Sequence, residues 1–206
     1  SGNLSGDLKQ QQTSERRGNT SDYSISLGAN YKDFLYIGAA LGIQSVKYNL
    51  EVSTKENVLD ETTTDLREYT LNEQLATEGI GVNFKVGAIL KLGKVLRLGG
   101  SVHTPTSYSL TDDYRSSLNS HLVNPTEHFD LESSISVFEY RVRTPWRYMA
   151  SISGVFKKRA LLTAQYEYAN FAFGKLKNTN NEGGIEADFS FANSIIASEF
   201  TGQHTY

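Results

Sequence analysis

Several residue types are scarce in this chain of 206 residues, and each scarcity narrows its class. Cysteine is absent, so disulfides and thiolate metal sites are excluded, while the redox compartment is left open. Proline occurs only 3 times, whereas glycine occurs 17 times and tyrosine 12 times, a composition that suits strands and sharp turns. The net charge of -3 argues against a nucleic-acid partner, which normally meets a basic face.

Long apolar runs are also missing, so a transmembrane helix, which needs roughly eighteen or more apolar residues, is not expected. Apolar residues instead alternate with small or polar ones, and within residues 32–50 this places Leu35, Ile37 and Ala39 on one face of a strand. Such a face can contact a protein core or lipid. The start, SGNLSGDLKQQQ, lacks the regions of a signal peptide, which indicates a mature chain or a fragment.

The same alternation recurs along the chain and predicts an all-β fold. Six candidate strands share it, and a seventh, less distinct, lies around 185–206. The six are expected near 21–31, 34–50, 76–92, 95–112, 136–156 and 160–176.

The predicted connections alternate in length, which is typical of outer-membrane barrels with short turns on one side and long loops on the other. The short turns are expected at 32–33, 93–94 and 157–159. The long polar segments are expected at 1–20, 51–75, 113–135 and 177–185.

Strand length and mid-strand charge favour the same architecture. Most candidates reach the roughly 9 to 11 residues that a tilted membrane-spanning strand needs. Their second faces carry charges such as Lys85 and Arg97, which a dry core would have to pair. The sequence therefore predicts an antiparallel up-and-down transmembrane β-barrel.

Two stretches carry a resemblance to a known family: GIGVNFKVGAILKLGKVLRLGGSVHTPTSYSLTDDY and RVRTPWRYMASISGVFKKRALLTAQYEYANFAFGKLK. They resemble the FadL family of outer-membrane transport proteins for long-chain fatty acids and aromatic hydrocarbons, in which similar glycine, HTPT, TPWR and YEY segments recur. The resemblance covers most of residues 21–200. It implies a fourteen-stranded barrel, plugged by an N-terminal hatch, in the outer membrane of a Gram-negative bacterium.

The chain departs from that family pattern at both ends. It has no hatch-like N-terminus, and it stops at TGQHTY, where similar proteins continue into further strands. We therefore expect residues 1–206 to form a single partial β-barrel domain, an internal fragment with about seven strands of the larger barrel.

The resemblance implies a channel for passive uptake of hydrophobic small molecules such as long-chain fatty acids. Its expected partners are that ligand and membrane lipid, with no cofactor and no nucleic acid. The alternative is a non-transporting outer-membrane barrel that docks another outer-membrane protein as a scaffold or secretion-machinery subunit. A third class, a soluble β-rich binding module, predicts instead that the alternating faces pack on each other.

Candidate lumen residues are charged or polar side chains on the faces opposite the apolar ones. A basic strip there could attract the carboxylate of an amphipathic ligand, because guanidinium groups suit planar anions. Inward Arg and Glu also pair across strands to brace a wall, which is the role we favour, with Glu167 as the partner of Arg147. The candidates are Arg97, His103, Arg141, Arg143, Arg147 and Glu167.

Pro105 and Pro145 interrupt two predicted strands within HTPT and TPWR. Proline cannot donate to a strand ladder, so each predicts a kink or a local gap in pairing. In the FadL family a wall gap can release ligand sideways, but a packing kink is the commoner cause. An aromatic girdle at a membrane interface is expected from Trp146, Tyr148, Tyr166 and Tyr168.

Catalytic signals are weak. GIGVNF lacks the third glycine of a dinucleotide loop, and no histidine pair has the spacing of helical metal ligands. His121, Glu127, His128 and Asp130 fall in one predicted loop, where ordinary loop polarity explains them better than a hydrolytic site. No enzymatic activity, catalytic residue or metal ligand is therefore expected.

Overall fold

The computed structural model describes residues 8–58, 66–122, 127–156, 160–179 and 187–206. Strand accounts for 79% of these residues and helix for 7%, which confirms the all-β prediction. The elements are β1 Leu8–Tyr31, β2 Leu35–Val58, β3 Leu66–Leu92, β4 Leu96–His103, β5 Ser107–Leu122, β6 His128–Glu132, β7 Ser136–Arg143, β8 Arg147–Phe156, β9 Ala160–Asn170, a 3-10 helix Phe171–Phe173, β10 Lys175–Asn178, α1 Ser190–Glu199 and β11 Gly202–Thr205.

The strands form one antiparallel sheet in up-and-down order, as the sequence predicts. β1 pairs with β2 and β2 with β3, while β3 pairs with both β4 and β5, the two parts of one interrupted run. β7 and β8 are likewise two parts of one interrupted run, in which β5 pairs with β7 and β4 pairs with β8. On the far side of this run, β10 pairs with β7 and β9 pairs with β8. No described pairing joins β1 to β9 or β11, so closure into a barrel stays a prediction.

Three segments predicted as connections are strand instead. The leader 1–20 contains the start of β1, residues 51–75 contain the end of β2 and the start of β3, and residues 113–135 contain most of β5 and all of β6. The prediction was wrong because polar side chains dominate these extensions, and their few apolar residues, such as Tyr69, Leu71 and Phe129, form no alternation long enough to indicate a strand.

Polar side chains on neighbouring strands hold these extensions together. Ser53 donates to Asn72 at 2.8 Å, and the Lys55 ammonium lies 3.0 Å from the Glu68 carboxylate. The hydrogen bond and charge of Lys55 lower the pKa of Glu68. Cross-strand polar pairs of this kind each contribute up to about 1 kcal/mol, so their number matters more than any one of them.

The region around 185–206 is also not the predicted seventh strand, since its described part holds α1 and only the short β11. Asn193 of α1 accepts from the Leu176 backbone N–H at 2.8 Å and donates to the Leu176 carbonyl at 2.9 Å. A side-chain amide thus takes the backbone hydrogen bonds of β10 that a further strand would take.

The short turns predicted at 32–33 and 93–94 are present. Lys32 and Asp33 have φ of 49° and 55°, and the Asn30 side chain accepts from the Asp33 N–H at 3.0 Å. Gly93 takes φ 66°, which glycine adopts without strain. The third predicted turn, 157–159, lies outside the described residues.

The chain packs as two compact units. Unit 1 comprises residues 1–19, 46–78 and 111–138, and unit 2 comprises residues 20–45, 79–110 and 139–206. The single partial barrel domain expected over 1–206 stays a prediction. Within the described ranges, no helix has the length and apolar character needed to cross a membrane.

Large apolar side chains of the described residues lie mostly at the surface. Among the described residues, Ala169 is the only buried apolar one, whereas Thr77, Asn83 and Thr106 are buried polar ones. Of eight representative apolar residues that alternate along β3, β4 and β7, five are exposed and three, Leu96, Tyr140 and Val142, are half-buried. The five exposed ones are Ile80, Val82, Phe84, Val86 and Leu98.

Candidate functional site

The register of β3, β4, β8 and β9 sorts the residues of unit 2 onto two faces. One row of directly opposed residues reads Val86, Val102, Tyr148, Tyr168, and the adjacent row on the other face reads Lys85, His103, Arg147, Ala169. Because alternate residues of a strand point to opposite sides, the other residues of these four strands divide between the same two faces. We call the face with Val86 and Tyr148 the apolar face, and the face with Lys85 and Arg147 the polar face.

A concave pocket of about 500 Å³ lies mainly against the polar face, although Val86, Ala88, Gly100 and Ala150 of the apolar face also border it, and we call it the inner pocket. Small residues such as Gly87, Ser101 and Ser151 leave the space, and Ile89 and Met149 supply apolar surface. Its polar lining includes Lys85, His103 and Gln165. An apolar cavity with a few polar groups is the usual form of a small-molecule site.

A hydrogen-bonded polar cluster lies beside the inner pocket, and Lys85 and His103 line both its cavity of about 250 Å³ and that pocket. Gln44 donates to the Asp22 carboxylate at 3.1 Å, and the Tyr108 hydroxyl donates to the Gln44 side-chain oxygen. The Lys85 ammonium lies 3.7 Å from the same carboxylate. The cluster therefore neutralises Lys85 with Asp22 rather than leaving an unpaired cation.

Asn83 carries the one buried side-chain acceptor in the described part of the chain that lacks a hydrogen-bond partner. Its Nδ2 donates to Thr106 Oγ1 at 3.1 Å, but its Oδ1 has no donor. A Cβ on Gly42 would lie 2.6 Å from that Oδ1, so only glycine leaves room for the amide. An unsatisfied buried acceptor costs about 1–3 kcal/mol, so the site favours a donor from water or a ligand.

Threonines close the strand breaks at both prolines. Pro105 lies between β4 and β5, and Pro145 lies between β7 and β8. Thr144 Oγ1 accepts from the Thr106 N–H at 2.8 Å, and the Thr106 carbonyl accepts from the Thr144 N–H at 3.0 Å. Thr104 Oγ1 accepts from the Phe84 N–H at 2.9 Å. Hydroxyls thus replace ladder bonds that proline cannot make.

Of the predicted lumen residues, the structure brings together His103, Arg147 and Glu167. His103 lies directly opposite Arg147, and Arg147 Nε lies 3.3 Å from Glu167 Oε1. This is the cross-strand contact that the bracing role requires.

The other three predicted residues lie elsewhere and face like charges. Arg97 lies opposite Lys91 near the turn at Gly93. Arg143 and Arg141 lie opposite Lys175 and Lys177 on β10. The structure therefore does not assemble the predicted residues into one continuous basic strip.

Arg147→Leu is expected to lower the free energy of unfolding by about 1 kcal/mol while ligand affinity changes less than twofold. The pair is partly exposed, so its energy is that of a screened bridge. Urea unfolding of Arg147→Leu, Glu167→Leu and the double variant isolates the pairwise energy. Normal stability with altered ligand preference would assign Arg147 to ligand recognition instead.

Sequence reasoning missed four members of the site as a group. Asp22, Gln44, Asn83 and Tyr108 come from β1, β2, β3 and β5, and only the pairing of these strands brings them together. The available signal was a polar residue in the middle of each alternating strand. That signal does not give the register that aligns them.

The predicted girdle residues lie close to one another in unit 2. Trp146 and Tyr148 stack with ring centroids 6.5 Å apart, and Tyr148 lies opposite Tyr168. The Tyr166 hydroxyl and His204 Nδ1 are 2.7 Å apart. Rings with one polar end in this position are typical of a boundary between an apolar and an aqueous phase.

The sequence comparisons do not identify a relative. No protein-family model matches the chain, and no curated protein is significantly similar to it in sequence.

Proposed function

We propose that this chain forms part of the wall of a transmembrane β-barrel in the outer membrane of a Gram-negative bacterium, and that the barrel lumen admits hydrophobic small molecules such as long-chain fatty acids. The observation that carries the proposal is the reversed polarity of unit 2, with exposed apolar side chains on one face and a pocket on the other. The likeness to the FadL family adds to this support.

Lipid is the solvent that suits the apolar face. Ile80, Val82 and Phe84 are 58%, 46% and 45% exposed, and no described element covers them. On β8, Tyr148–Phe156 would run for about 27 Å, which becomes roughly 21 Å once the strand is tilted as in outer-membrane barrels. That height is close to the apolar band of about 25 Å in such barrels.

The inner pocket suits an elongated ligand with a small polar head. Its volume of about 500 Å³ falls within the usual range for ligand sites, roughly 300–1,000 Å³. Tyr36, Ile89 and Met149 offer surface to an alkyl chain. His103, which also lines the polar cluster, can donate a charge-assisted hydrogen bond to a carboxylate, while Lys85 beside it is already paired with Asp22.

Ser151→Trp is expected to weaken binding of a labelled long-chain fatty acid to the detergent-solubilised protein at least roughly tenfold, because indole fills the inner pocket. Ile152→Trp is the matched control, since the next residue of β8 carries the same indole on the apolar face and does not line the inner pocket. Fluorescence titration of both variants measures the difference. Equal affinities would remove the inner pocket from the proposal.

Recognition of the carboxylate head is tested by comparing the affinity of the fatty acid with that of the alcohol of the same chain length. A charge-assisted hydrogen bond contributes about 1.5–3 kcal/mol, so the acid is expected to bind about ten- to a hundredfold more tightly than the alcohol. Equal binding would leave the pocket as an alkyl site without recognition of the head.

Transport itself is tested in cells. We expect the native protein to fractionate with the outer membrane, and cells that lack it to grow poorly on the fatty acid as carbon source. Outer-membrane location with neither binding nor a growth defect would favour the scaffold function instead. Recovery in the aqueous fraction would contradict the membrane proposal altogether.

A further inference from the structure

Two histidines face each other across the β5–β6 pair of unit 1. His121 lies directly opposite His128, with ring centroids 4.0 Å apart and an interplanar angle of 40°. Only 4 histidines occur in the chain, so this pairing involves half of them. Neither residue belongs to the inner pocket or the polar cluster.

Hydrogen bonds on either side fix the histidine pair in register. On one side, Asn119 lies opposite Asp130 and donates to its carboxylate at 2.6 Å. On the other side, the Leu122 N–H donates to the Glu127 carbonyl at 2.9 Å. The two rings are therefore held next to each other by the backbone rather than by chance contact of free loops.

Imidazole nitrogens are preferred ligands of Zn²⁺, Cu²⁺ and Ni²⁺. Two nitrogens on one such ion, each about 2.0–2.1 Å from it, lie roughly 3 Å apart. Rings with centroids 4.0 Å apart reach this spacing by side-chain rotation alone, without movement of either strand.

We propose that His121 and His128 form a two-histidine chelating site for a borderline divalent metal ion. Within the described ranges, no three His, Cys, Asp or Glu side chains converge on one point, so water completes the coordination. Asp130, the nearest carboxylate along β6, is engaged by Asn119. The site is thus open and exchangeable, and by the general order of divalent ions it binds Cu²⁺ more tightly than Zn²⁺.

The bound ion would cross-link β5 to β6 at the end of their pairing. Because it binds the folded arrangement and bridges two strands, it stabilises unit 1 by mass action. Without metal, the same two rings are only an aromatic cross-strand pair.

The proposal is tested by Cu²⁺ titration of the full chain in detergent, followed by electron paramagnetic resonance. We expect a superhyperfine pattern from two imidazole nitrogens in the unaltered protein and from one nitrogen in His121→Gln and in His128→Gln. Either variant is expected to bind Cu²⁺ at least roughly tenfold more weakly, because the second ligand no longer acts at high effective concentration.

His204→Gln is the matched control, since it removes an exposed histidine that lies on β11 and contacts Tyr166. It should leave both the spectrum and the affinity unchanged. Unaltered Cu²⁺ binding in His121→Gln and His128→Gln, or its loss in His204→Gln, would overturn the proposal. Unfolding curves measured without metal establish that every variant is folded, so the Cu²⁺ affinities are compared between folded proteins.

Discussion

Replacing Val86 and Leu98 together by arginine is expected to prevent stable insertion of the protein into lipid vesicles. Val86 is 42% exposed and Leu98 is 37% exposed, and both lie on the apolar face in the paired strands β3 and β4. Arginine facing lipid near the bilayer midplane costs about 2–4 kcal/mol, so the two substitutions cost about 4–8 kcal/mol. Flotation of refolding mixtures with vesicles measures the inserted fraction.

The matched control is Ile89→Arg combined with Ser101→Arg. It also adds two guanidinium groups to β3 and β4, but at residues whose cross-strand partners are Gly99 and Gly87 of the polar face. Insertion of the control with failure of the first pair would locate lipid on the apolar face. Equal behaviour of the two double variants would refute the assignment of the faces.

The double variant Thr106→Val, Thr144→Val is expected to lose about 2–6 kcal/mol of unfolding free energy. Valine keeps the shape of threonine but leaves the Thr106 N–H and an Asn83 amide proton without an acceptor, at about 1–3 kcal/mol each. Urea unfolding in detergent measures the loss.

Thr163→Val, at an exposed position of β9, is the control and should change stability by less than about 0.5 kcal/mol. If the threonine pair were no more costly than this control, water would be satisfying the strand breaks instead. The proline positions would then be wet gaps in the wall rather than closed ones.

The parts of the fold that the sequence predicts are those with one apolar face. From Ile80 to Val86 every second side chain is apolar, and the period of two gives both the strand and its exposed face. Gln10 and Ser53 lie in the parts of β1 and β2 where polar residues dominate, and the same test detects no long period there. Amphipathic alternation indicates that the two faces of a strand meet different environments, so it gives little signal where both faces are mainly polar.

The sequence predicted a contact of the candidate site only between two strands that follow each other in the chain. Arg147 and Glu167 lie on β8 and β9, whose hairpin sets their distance, and the expected contact is present at 3.3 Å. Asp22 and Lys85 lie on β1 and β3, so their contact depends on two successive registers. His121 and His128 were missed as a pair because their strands were interpreted as a loop.

The near absence of buried apolar residues changes where the chain can fold. With Ala169 as the only such residue in the described part, collapse in water removes little apolar surface, so it does little to offset the entropy of ordering the chain. If lipid covers the apolar face, the driving force appears only at the bilayer, and the chain would travel there unfolded.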